Sequence, residues 1–496
     1  GNALYLDRYW REERRVAADL EALADAEPDE VRLDRLADGL ARLFASHGDD
    51  RQRLAAATAV LRRFAVVAGG PGTGKTTTVA RIVALLAEQG PPEPLVALAA
   101  PTGKAAARLE EAVHAEAATL DIDAELREHL LGLRARTLHR LLGRRPDSHS
   151  RFRHHRGNRL PHDVVIVDET SMVSLGMMAR LVEAVRPDAR LILVGDPGQL
   201  TSIEAGAVLG DLVGPAATGP RMRPAARRRL AEAAGFDIEA APTVESVAIG
   251  DGIVVLDHDY RFGSEIARVA EAIRRGDGDA VVAALEQGAG VEWIREDADR
   301  LVESAAAAAR AVVAAARTGD RGDALRALGA FRVLCAHRRG PHGVADWAAR
   351  IEARLAQDVD GLEGEWYAGR PLLATANDYG IGIFNGDTGV VVGGDSLVAA
   401  FERGGRVLEI APSRLSAVET VFAMTVHKSQ GSQFDTAAVV LPPPSSRLLT
   451  RELLYTAVTR ARTRLVVAGT EEAVRAAVAR PVARASGLRE RLWAPR

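Results

Sequence analysis

The segment GGPGTGKT, residues 69–76, has the full spacing of a phosphate-binding P-loop. It follows the apolar run FAVV and opens the helical pattern TTTVARIVALLAEQ. Glycines allow backbone N–H groups to surround a β-phosphate at a helix N-terminus, Lys75 reaches the β- and γ-oxygens, and the Thr76 hydroxyl binds Mg²⁺. A purely structural strand-to-helix turn is the alternative. Because both flanking elements are present, the segment predicts a nucleotide-binding α/β domain.

A pair of acidic residues, Asp168 and Glu169, ends the apolar run DVVIVDE. We expect Asp168 to hold the metal ion through water, and Glu169 to orient or deprotonate the attacking water. Acidic residues after a buried strand are sometimes only a helix cap. Combined with a P-loop, however, the pair predicts a nucleoside triphosphatase.

Three further side chains are candidates for the chemistry of the γ-phosphate. The segment GDPGQL places Gln199 after the next apolar run, where a side-chain amide can sense that phosphate. An arginine delivered from another domain stabilises transition-state charge and couples hydrolysis to closure. Arg460, in LLYTAVTRAR, is the first candidate for this role and Arg261, in DYRF, the second. Either arginine can instead be an ordinary structural residue.

The pattern of apolar runs indicates two α/β domains with a β insertion. Short apolar runs ending in Gly, Asp or Pro alternate with helical stretches, as buried parallel strands do in a doubly wound fold: FAVVAGG, LVALAAPTG, DVVIVDE and RLILVGDP. A second alternation begins at DGIVVLDHDYRF and resumes at TAAVVLP and RLVVAGT. The intervening stretch that starts at RPLLATANDYG has short strands and Gly-Asp turns, which predict a small β-barrel.

Composition limits the class of protein. A chain of 496 residues, 47% of them hydrophobic, is long enough for two or three domains. The net charge of −3 argues against indiscriminate binding of polyanions. Because no charge-free run of eighteen apolar residues and no apolar signal core is present, we expect neither a membrane span nor export. The single cysteine, Cys335, excludes an internal disulfide and fits a buried thiol in the cytoplasm.

Lysine is scarce, and its positions carry information. Only three of the 64 Lys and Arg residues are lysines: Lys75, Lys104 and Lys428. Lys104 and Lys428 fall at turns after strands, where a point charge meets phosphate or backbone; an exposed helix-start lysine is the alternative for Lys104. None of the three has an acidic residue two positions before it. The carboxylate pair plus lysine of many nucleases is therefore missing, and we expect no nuclease site in this chain.

The ordered motifs resemble those of superfamily 1B helicases, and within them the RecD family, the alpha subunits of exodeoxyribonuclease V. The motifs that carry this resemblance are GGPGTGKT, APTGKAAARL, RTLHRLLG, VVDETSM, GDPGQL, DYRF, NDYGIGIFNGDTG, AMTVHKSQGSQFD and LLYTAVTRAR. The resemblance spans about residues 51 to 470. It implies ATP and Mg²⁺ as cofactors, single-stranded DNA from duplex ends as the track, 5′ to 3′ movement, and a heterotrimer with RecB-like and RecC-like subunits.

The resemblance also implies domains and site residues. The predicted domains are a helical N-terminal region at 1–50, a RecA-like domain 1A at 51–250 with a hairpin 1B near 145–162, a RecA-like domain 2A at 251–345 and 415–496, and an SH3-like domain 2B at 346–414. Gln52 resembles the glutamine that reads adenine, and the phosphate loop is completed by Gly70, Pro71, Gly72, Thr73, Gly74 and Thr77. Residues in DNA-facing motifs are Thr102, Lys104, Thr137, His139, Asn385, Thr425 and His427.

Several alternatives stay open. The region before the P-loop is shorter than the family implies, so we expect a truncated N-terminal domain. Closely spaced histidines in GRRPDSHSRFRHHRGNR suggest a metal at first, but no carboxylate or thiol stands at ligand spacing, which favours a basic hairpin. A stand-alone helicase of the same superfamily and a scaffold subunit with a decayed ATPase are the competing functions. RNA also remains a possible track.

Overall fold

The computed structural model describes residues 6–28, 31–44, 50–90, 92–145, 151–202, 206–238, 247–256, 264–295, 297–482 and 486–494. The chain divides into two units. The first comprises Gly1–Pro197, Thr201–Tyr260 and Ala483–Arg496, and the second comprises Gly198–Leu200 and Arg261–Val482. Within the described ranges, no helix has the length and apolar character needed to cross a membrane.

The first unit is built on a six-stranded parallel sheet. Its strands are β1 (Phe64–Gly69), β2 (Val96–Ala100), β3 (Ala135–Thr137), β4 (Val164–Val167), β5 (Arg190–Gly195) and β6 (Ile253–Leu256), in the order β3-β2-β4-β5-β1-β6. Its helices are α1 (Asp7–Asp25), α2 (Leu33–Leu43), α3 (Asp50–Leu61), α4 (Lys75–Ala87), α5 (Gly103–Ala117), α6 (Ala124–Gly132), α7 (Leu138–Leu141), α8 (Leu175–Ala184), α9 (Val208–Val213) and α10 (Pro224–Ala234). The sheet therefore has the all-parallel α/β topology that the apolar runs predict.

Apolar cores cover both faces of this sheet. In β4, Val164 and Ile166 belong to one core, whereas Val165 and Val167 belong to the other. Successive side chains of a strand point to opposite faces, so a strand covered on both sides must be apolar throughout. The continuous run DVVIVDE meets this requirement.

The second unit combines two sheets. Its strands are β7 (Val291–Ile294), β8 (Phe331–Cys335), β9 (Pro371–Ala374), β10 (Thr388–Val392), β11 (Val398–Arg403), β12 (Arg406–Ile410), β13 (Val418–Thr420), β14 (Ala423–Thr425), β15 (Phe434–Val440) and β16 (Ala461–Ala468). Its helices are α11 (Ser264–Arg275), α12 (Gly278–Glu286), α13 (Ala298–Arg317), α14 (Arg321–Ala330), α15 (Val344–Ala356), α16 (Arg451–Val458) and α17 (Glu471–Ala479). A parallel sheet has the order β14-β8-β15-β16-β7.

The other sheet is a five-stranded antiparallel insertion in the order β12-β11-β10-β9-β13. Its β11–β12 hairpin turns through Gly404 and Gly405, with φ of +57° and +69°. A two-residue turn with positive φ at both positions matches the twist of antiparallel strands, and glycine adopts it without strain. The predicted β insertion is thus an antiparallel sheet rooted between β8 and β14 of the parallel sheet.

Three predicted domain boundaries need correction. Strand β6, which we assigned to the second domain, pairs with β1 in the first unit. Helix α15 packs Trp347 and Ile351 into the core of the second unit's parallel sheet, so the insertion does not begin at 346. Strand β13 extends the inserted sheet past 414 by pairing with β9.

The chain end differs from the prediction as well. A last helix, α18 (Leu488–Trp493), buries Leu488 and Leu492 in the core of the first unit, whereas the predicted domains assign residues 415–496 to the second domain. At the start of α18, Gly487 N donates to Glu13 Oε1 over 3.1 Å, so the Glu13 carboxylate caps a helix N-terminus. The sheet or core that a segment joins is decided by non-local contacts, which a local pattern does not encode.

Candidate nucleotide and nucleic-acid sites

The P-loop lies between β1 and α4, as the sequence predicts. Gly72 and Gly74 have φ of +88° and +79°, in the left-handed region that glycine tolerates. Lys75 is the first residue of α4, and its side chain folds back over the loop. There the ammonium group donates to Gly69 O over 2.8 Å and to Gly70 O over 2.6 Å. Thr76 and Thr77 are half-buried in the first turn of α4. The loop thus presents an ammonium and a helix N-terminus together, which is the arrangement that binds phosphate.

Gln52 on α3 supports the same loop. This buried side chain donates from Nε2 to Thr73 O over 3.1 Å. Thr73 in turn donates from its hydroxyl to Gly70 O over 2.9 Å. A Cβ added at Gly74 would overlap the Gln52 amide nitrogen. Gln52 and Gly74 are therefore matched to each other, and the glutamine is part of the loop's wall.

Asp168 and Glu169 follow β4 at the same edge of the sheet. Glu169 has φ of +51°, the one positive φ at a non-glycine residue in the described ranges, and its backbone N–H donates to Asp168 Oδ1 over 2.7 Å. Burial, together with the neighbouring Glu169 carboxylate, raises the pKa of Asp168 to about 7, although Lys75 opposes the shift. A strained turn next to a carboxyl with a raised pKa is typical of functional sites.

Gln199 and Arg460 belong to the second unit. Gln199 is buried, and the adjacent Leu200 N–H donates to Thr456 Oγ1 over 2.8 Å. Arg460 is also buried and donates to Thr456 O over 3.0 Å and to Ser432 O over 3.2 Å. Its guanidinium is therefore fixed at the end of α16. The second arginine candidate, Arg261, lies outside the described residues.

The three threonines of the DNA-facing motifs share one geometry. Each stands where a strand ends, and each hydroxyl accepts a hydrogen bond from the backbone N–H three residues later: Thr102 from Ala105, Thr137 from Arg140, and Thr425 from Lys428, over 3.2, 3.3 and 3.2 Å. A hydroxyl that accepts one such bond keeps its hydrogen for donation. All three threonines are thus oriented, and each retains a donor.

The other predicted DNA-facing residues lie on the surface of their units. His139 is exposed, with its ring centroid 6.0 Å from that of Phe152. Lys104 is half-buried in the first turn of α5, and His427 is half-buried after β14. Lys428 Nζ lies 3.6 Å from Glu419 Oε2 in a pair that solvent reaches, so this pair adds little stability.

Asn385 lies in the loop between β9 and β10, and its backbone N–H donates to Asn377 Oδ1 over 2.8 Å. The same loop exposes 49% of Tyr379, whose ring meets Phe384 edge to face at 5.5 Å. Tyr379 is not among the predicted site residues, although an aromatic residue inside a Gly- and Asn-rich turn is a signal for a surface contact. Arg332, a buried charge within the apolar strand β8, is not among them either.

The hairpin near 145–162 is described except for residues 146–150. Its histidines bind local backbone: His155 Nδ1 accepts from Gly157 N over 3.1 Å, and His154 Nδ1 lies 3.3 Å from Arg159 O. In the described part of the chain, no group of three or more His, Cys, Asp or Glu side chains is arranged to hold a metal ion. The two histidines therefore stabilise turns of the hairpin.

A P-loop at the edge of a parallel α/β sheet defines a P-loop nucleoside triphosphatase, and comparison with known proteins assigns it to the helicases. Two family models agree: an AAA domain matches residues 52–205, and a UvrD-like helicase C-terminal domain matches residues 420–468. The RecBCD enzyme subunit RecD of Mycolicibacterium smegmatis is 52% identical over 500 residues, covering 99% of this chain and 82% of the relative. The chain therefore belongs to the RecD family, and it is an ATP-dependent helicase.

Two more comparisons extend the picture. The ATP-dependent RecD2 DNA helicase of Deinococcus radiodurans is 33% identical over 438 residues, which are 87% of this chain and 50% of that protein. A crystal structure of Bacteroides Pif1 bound to single-stranded DNA is also similar; the match covers 81% of this chain and 88% of the Pif1 chain, with 17% sequence identity and a TM-score of 0.41.

Proposed function

We propose that this chain is the DNA motor of a RecBCD-type helicase-nuclease: it translocates 5′ to 3′ on a single strand from a duplex end while hydrolysing ATP. The observation that carries the proposal is the cluster of Gln52, Lys75, Asp168 and Glu169 at one sheet edge in a member of the RecD family. A scaffold subunit with a decayed ATPase would have no reason to keep a strained Glu169 beside a lysine-bearing P-loop.

The hydrolytic step uses the first unit's acidic pair. The Glu169 carboxylate accepts a proton from the water that attacks the γ-phosphorus. As the new phosphorus–oxygen bond forms, the bond from the γ-phosphorus to the bridging oxygen breaks, which gives ADP and phosphate. Lys75 donates to the β- and γ-oxygens, exchanging its bonds to Gly69 O and Gly70 O for the phosphate. The left-handed backbone at Glu169 sets where its side chain leaves the turn after β4.

Mg²⁺ fits the donor set. Thr76 and Asp168 would hold the ion, since hydroxyl and carboxylate oxygens are ligands that Mg²⁺ prefers. The chemistry supplied by the bound ion is neutralisation of charge on the phosphate oxygens. The raised pKa of Asp168 is consistent with a carboxyl group that requires a nearby cation to ionise fully.

Gln52 gives the site its base preference in this proposal. Its Nε2 carries two hydrogens, of which one is donated to Thr73 O. The second hydrogen and the Oε1 acceptor match the N7 acceptor and the amino group of adenine. Guanine reverses the second of these groups by placing a carbonyl where adenine has the amino group, so we expect ATP to be preferred over GTP.

The DNA track runs past the carboxyl ends of the strands in both units. Thr102, Thr137 and Thr425 offer hydroxyl hydrogens to phosphate oxygens, and His139 and His427 offer ring nitrogens. The half-buried lysines Lys104 and Lys428, with Asn385 in the inserted sheet, complete the set. Because these groups suit sugar and phosphate, we expect binding to depend on salt and hardly on base order.

The two units supply the motor in this proposal. Each is a RecA-like domain, the antiparallel insertion is an SH3-like barrel, and the hairpin near 145–162 separates strands. Gln199 senses the γ-phosphate in this proposal, and Arg460, with Arg261 as the second candidate, stabilises transition-state charge. Each nucleotide state then favours a different grip on DNA.

RecB-like and RecC-like subunits are the proposed partners in the cytoplasm. The chain is 52% identical to the Mycolicibacterium RecD subunit but 33% identical to the Deinococcus helicase, which favours the subunit over the stand-alone alternative. The nuclease activity of such a complex belongs to a partner in this proposal, because all three lysines lie in helicase motifs. The purified chain, given ATP, Mg²⁺ and linear duplex, should therefore not shorten the DNA.

Turnover of ATP with matched strands tests the proposal. We expect an oligothymidylate to stimulate hydrolysis and the matched oligouridylate to stimulate it less. Lys75→Ala should abolish turnover while the fold is kept, whereas Glu169→Gln should bind ATP and hydrolyse it very slowly. Unwinding should require a 5′ single-stranded tail. Wild-type turnover in Lys75→Ala, or unwinding from 3′ tails alone, would refute the assignment.

A further inference from the structure

Arg332 is a buried cation on β8 with 3% of its surface exposed. Burial lowers its pKa to about 10, so the guanidinium stays charged at neutral pH. Among the described residues no acidic side chain pairs with it, and its Nε has no hydrogen-bond partner there. The adjoining cavity of about 30 Å³ is lined mainly by apolar side chains, among them Ala305, Val312 and Phe422. Burying a charge without an acidic partner costs free energy, so we ask which contacts of Arg332 offset this cost.

The contacts of Arg332 join three segments of the second unit. Its Nη2 donates to Leu328 O over 3.1 Å at the end of α14, and its Nη1 donates to Val421 O. The guanidinium carbon lies 5.3 Å from the ring centroid of Phe434, a cation–π contact. Val421 and Phe434 are the two ends of the segment 421–434, which contains the motif TVHKSQGSQF.

This segment is in direct contact with Arg460. Phe434 N donates to Arg460 O over 2.9 Å, and Arg460 Nη1 donates to Ser432 O over 3.2 Å. On the other side, Val421 N donates to Pro371 O over 3.0 Å at the root of the inserted sheet. Leu328 packs in the same core as Val390 and Val392 of that sheet. The Arg332 guanidinium thus contacts the segment 421–434, which is bonded both to the inserted sheet and to Arg460.

We infer that Arg332 is a positioning residue: by holding both ends of the segment 421–434 it couples DNA contact at that segment to the placement of Arg460 during ATP turnover. The inference rests on the proposed function, in which Thr425 and His427 face DNA. A planar fork that donates to two carbonyls and stacks on a ring fixes relative geometry, which an apolar side chain of similar length does not do.

Arg332→Met separates positioning from packing, because methionine fills a similar volume without the fork. The matched control is Arg370→Met. Arg370 is likewise buried and stacks over Trp366 at 4.8 Å, but its side-chain hydrogen bonds go to Thr420 Oγ1, over 2.9 Å, and to Glu365 O, both outside the segment 421–434. ATP turnover is measured in the full chain, with and without oligothymidylate, beside the thermal midpoint and the half-saturating oligothymidylate concentration.

We expect Arg332→Met to lower the ratio of stimulated to unstimulated turnover by about tenfold or more, with a smaller change in the half-saturating oligothymidylate concentration. Arg332→Lys, which keeps the charge but cannot bridge both carbonyls, should recover part of the ratio, and Arg370→Met should keep it. A ratio unchanged in Arg332→Met, or lowered equally in Arg370→Met, would overturn the inference. Unfolding of both Arg332 variants would also overturn it, by showing a purely structural role.

Turnover of the wild-type chain with oligothymidylate distinguishes failure of the proposed function from failure of the inference about Arg332. If oligothymidylate fails to stimulate wild-type turnover, the proposed function fails, and the inference fails with it. If it stimulates the wild type and Arg332→Met equally, the inference alone fails.

Discussion

Replacing Gly74 by alanine should damage the P-loop in two separable ways. Gly74 has φ of +79° and ψ of 19°, and an L-residue in this region costs roughly 1–2 kcal/mol. The new Cβ also overlaps the amide nitrogen of Gln52 and must displace it from Thr73 O. Losing that bond and leaving the carbonyl unpaired costs about 1–2 kcal/mol more. We therefore expect Gly74→Ala to destabilise the loop by about 2–4 kcal/mol.

A matched control isolates the second contribution. Gly235, after α10, has φ of +77° and ψ of 19°, and an added Cβ there meets only the Arg53 side-chain end, at 3.3 Å. Gly235→Ala should therefore cost only the backbone part, about 1–2 kcal/mol. The double variant Gln52→Ala with Gly74→Ala should lose about 1 kcal/mol less loop stability than the two single variants together. The reason is that, without the glutamine side chain, the new Cβ at position 74 has no amide to overlap.

Native-state hydrogen exchange measures these energies locally. The Thr78 N–H, which donates to Gly74 O over 2.9 Å, reports on the loop, and the Gly235 N–H, which donates to Ala231 O over 2.9 Å, reports on the control. Gly74→Ala should also weaken ATP binding, whereas Gly235→Ala should not. Equal exchange effects in the two single variants, or an additive double variant, would refute the claim that Gln52 and Gly74 are matched.

Three further predictions follow from burial and hydrogen bonding. The pKa of Asp168 is raised from 3.8 to about 7, so its neutral form stabilises the nucleotide-free protein below the unfolded pKa, and this contribution is lost as pH rises from 3.8 to about 7. The thermal midpoint of Asp168→Asn should therefore rise relative to that of the wild type across this window; a constant difference would contradict the shift. Burial raises the pKa of Cys335 to about 12, so a thiol reagent at pH 8 should label it only after unfolding; rapid labelling of the native chain would contradict this. Arg460→Ala should weaken DNA-stimulated turnover more than ATP binding; equal losses would mean that its bonds to Thr456 O and Ser432 O only hold the fold together.

Local sequence was sufficient to predict where the P-loop segment and the acidic pair lie relative to the strands and helices of the first unit. The P-loop, the acidic pair after β4 and the helix that begins at Lys75 depend on glycine positions and on a continuous apolar strand. Both signals can be recognised within a few consecutive residues. The threonines at strand ends were placed by resemblance, and their shared role as acceptors of a backbone N–H emerged only from the structure.

Long-range partners could not be predicted in the same way. Strand β6 reads as the first strand of a new domain, yet it pairs with β1 because an open parallel sheet accepts a further strand at its edge. Helix α18 joins the first unit through Leu488 and Leu492, hundreds of residues from the helices that they meet. The bond between Gln52 and Thr73 O likewise depends on how α3 lies against the loop.

The contacts of the buried arginines and of Lys75 explain why lysine is retained at position 75 of an arginine-rich chain. The buried arginines Arg332 and Arg460 each join carbonyls of two separate segments, for which a planar fork with several donors is suited. Lys75 instead reaches two successive carbonyls of one tight loop, at 2.8 and 2.6 Å, and its three donors radiate from a single atom. A guanidinium carries its donors on a wider frame than this loop encloses. We therefore propose that lysine is kept at position 75 because one compact charge there exchanges backbone carbonyls for phosphate.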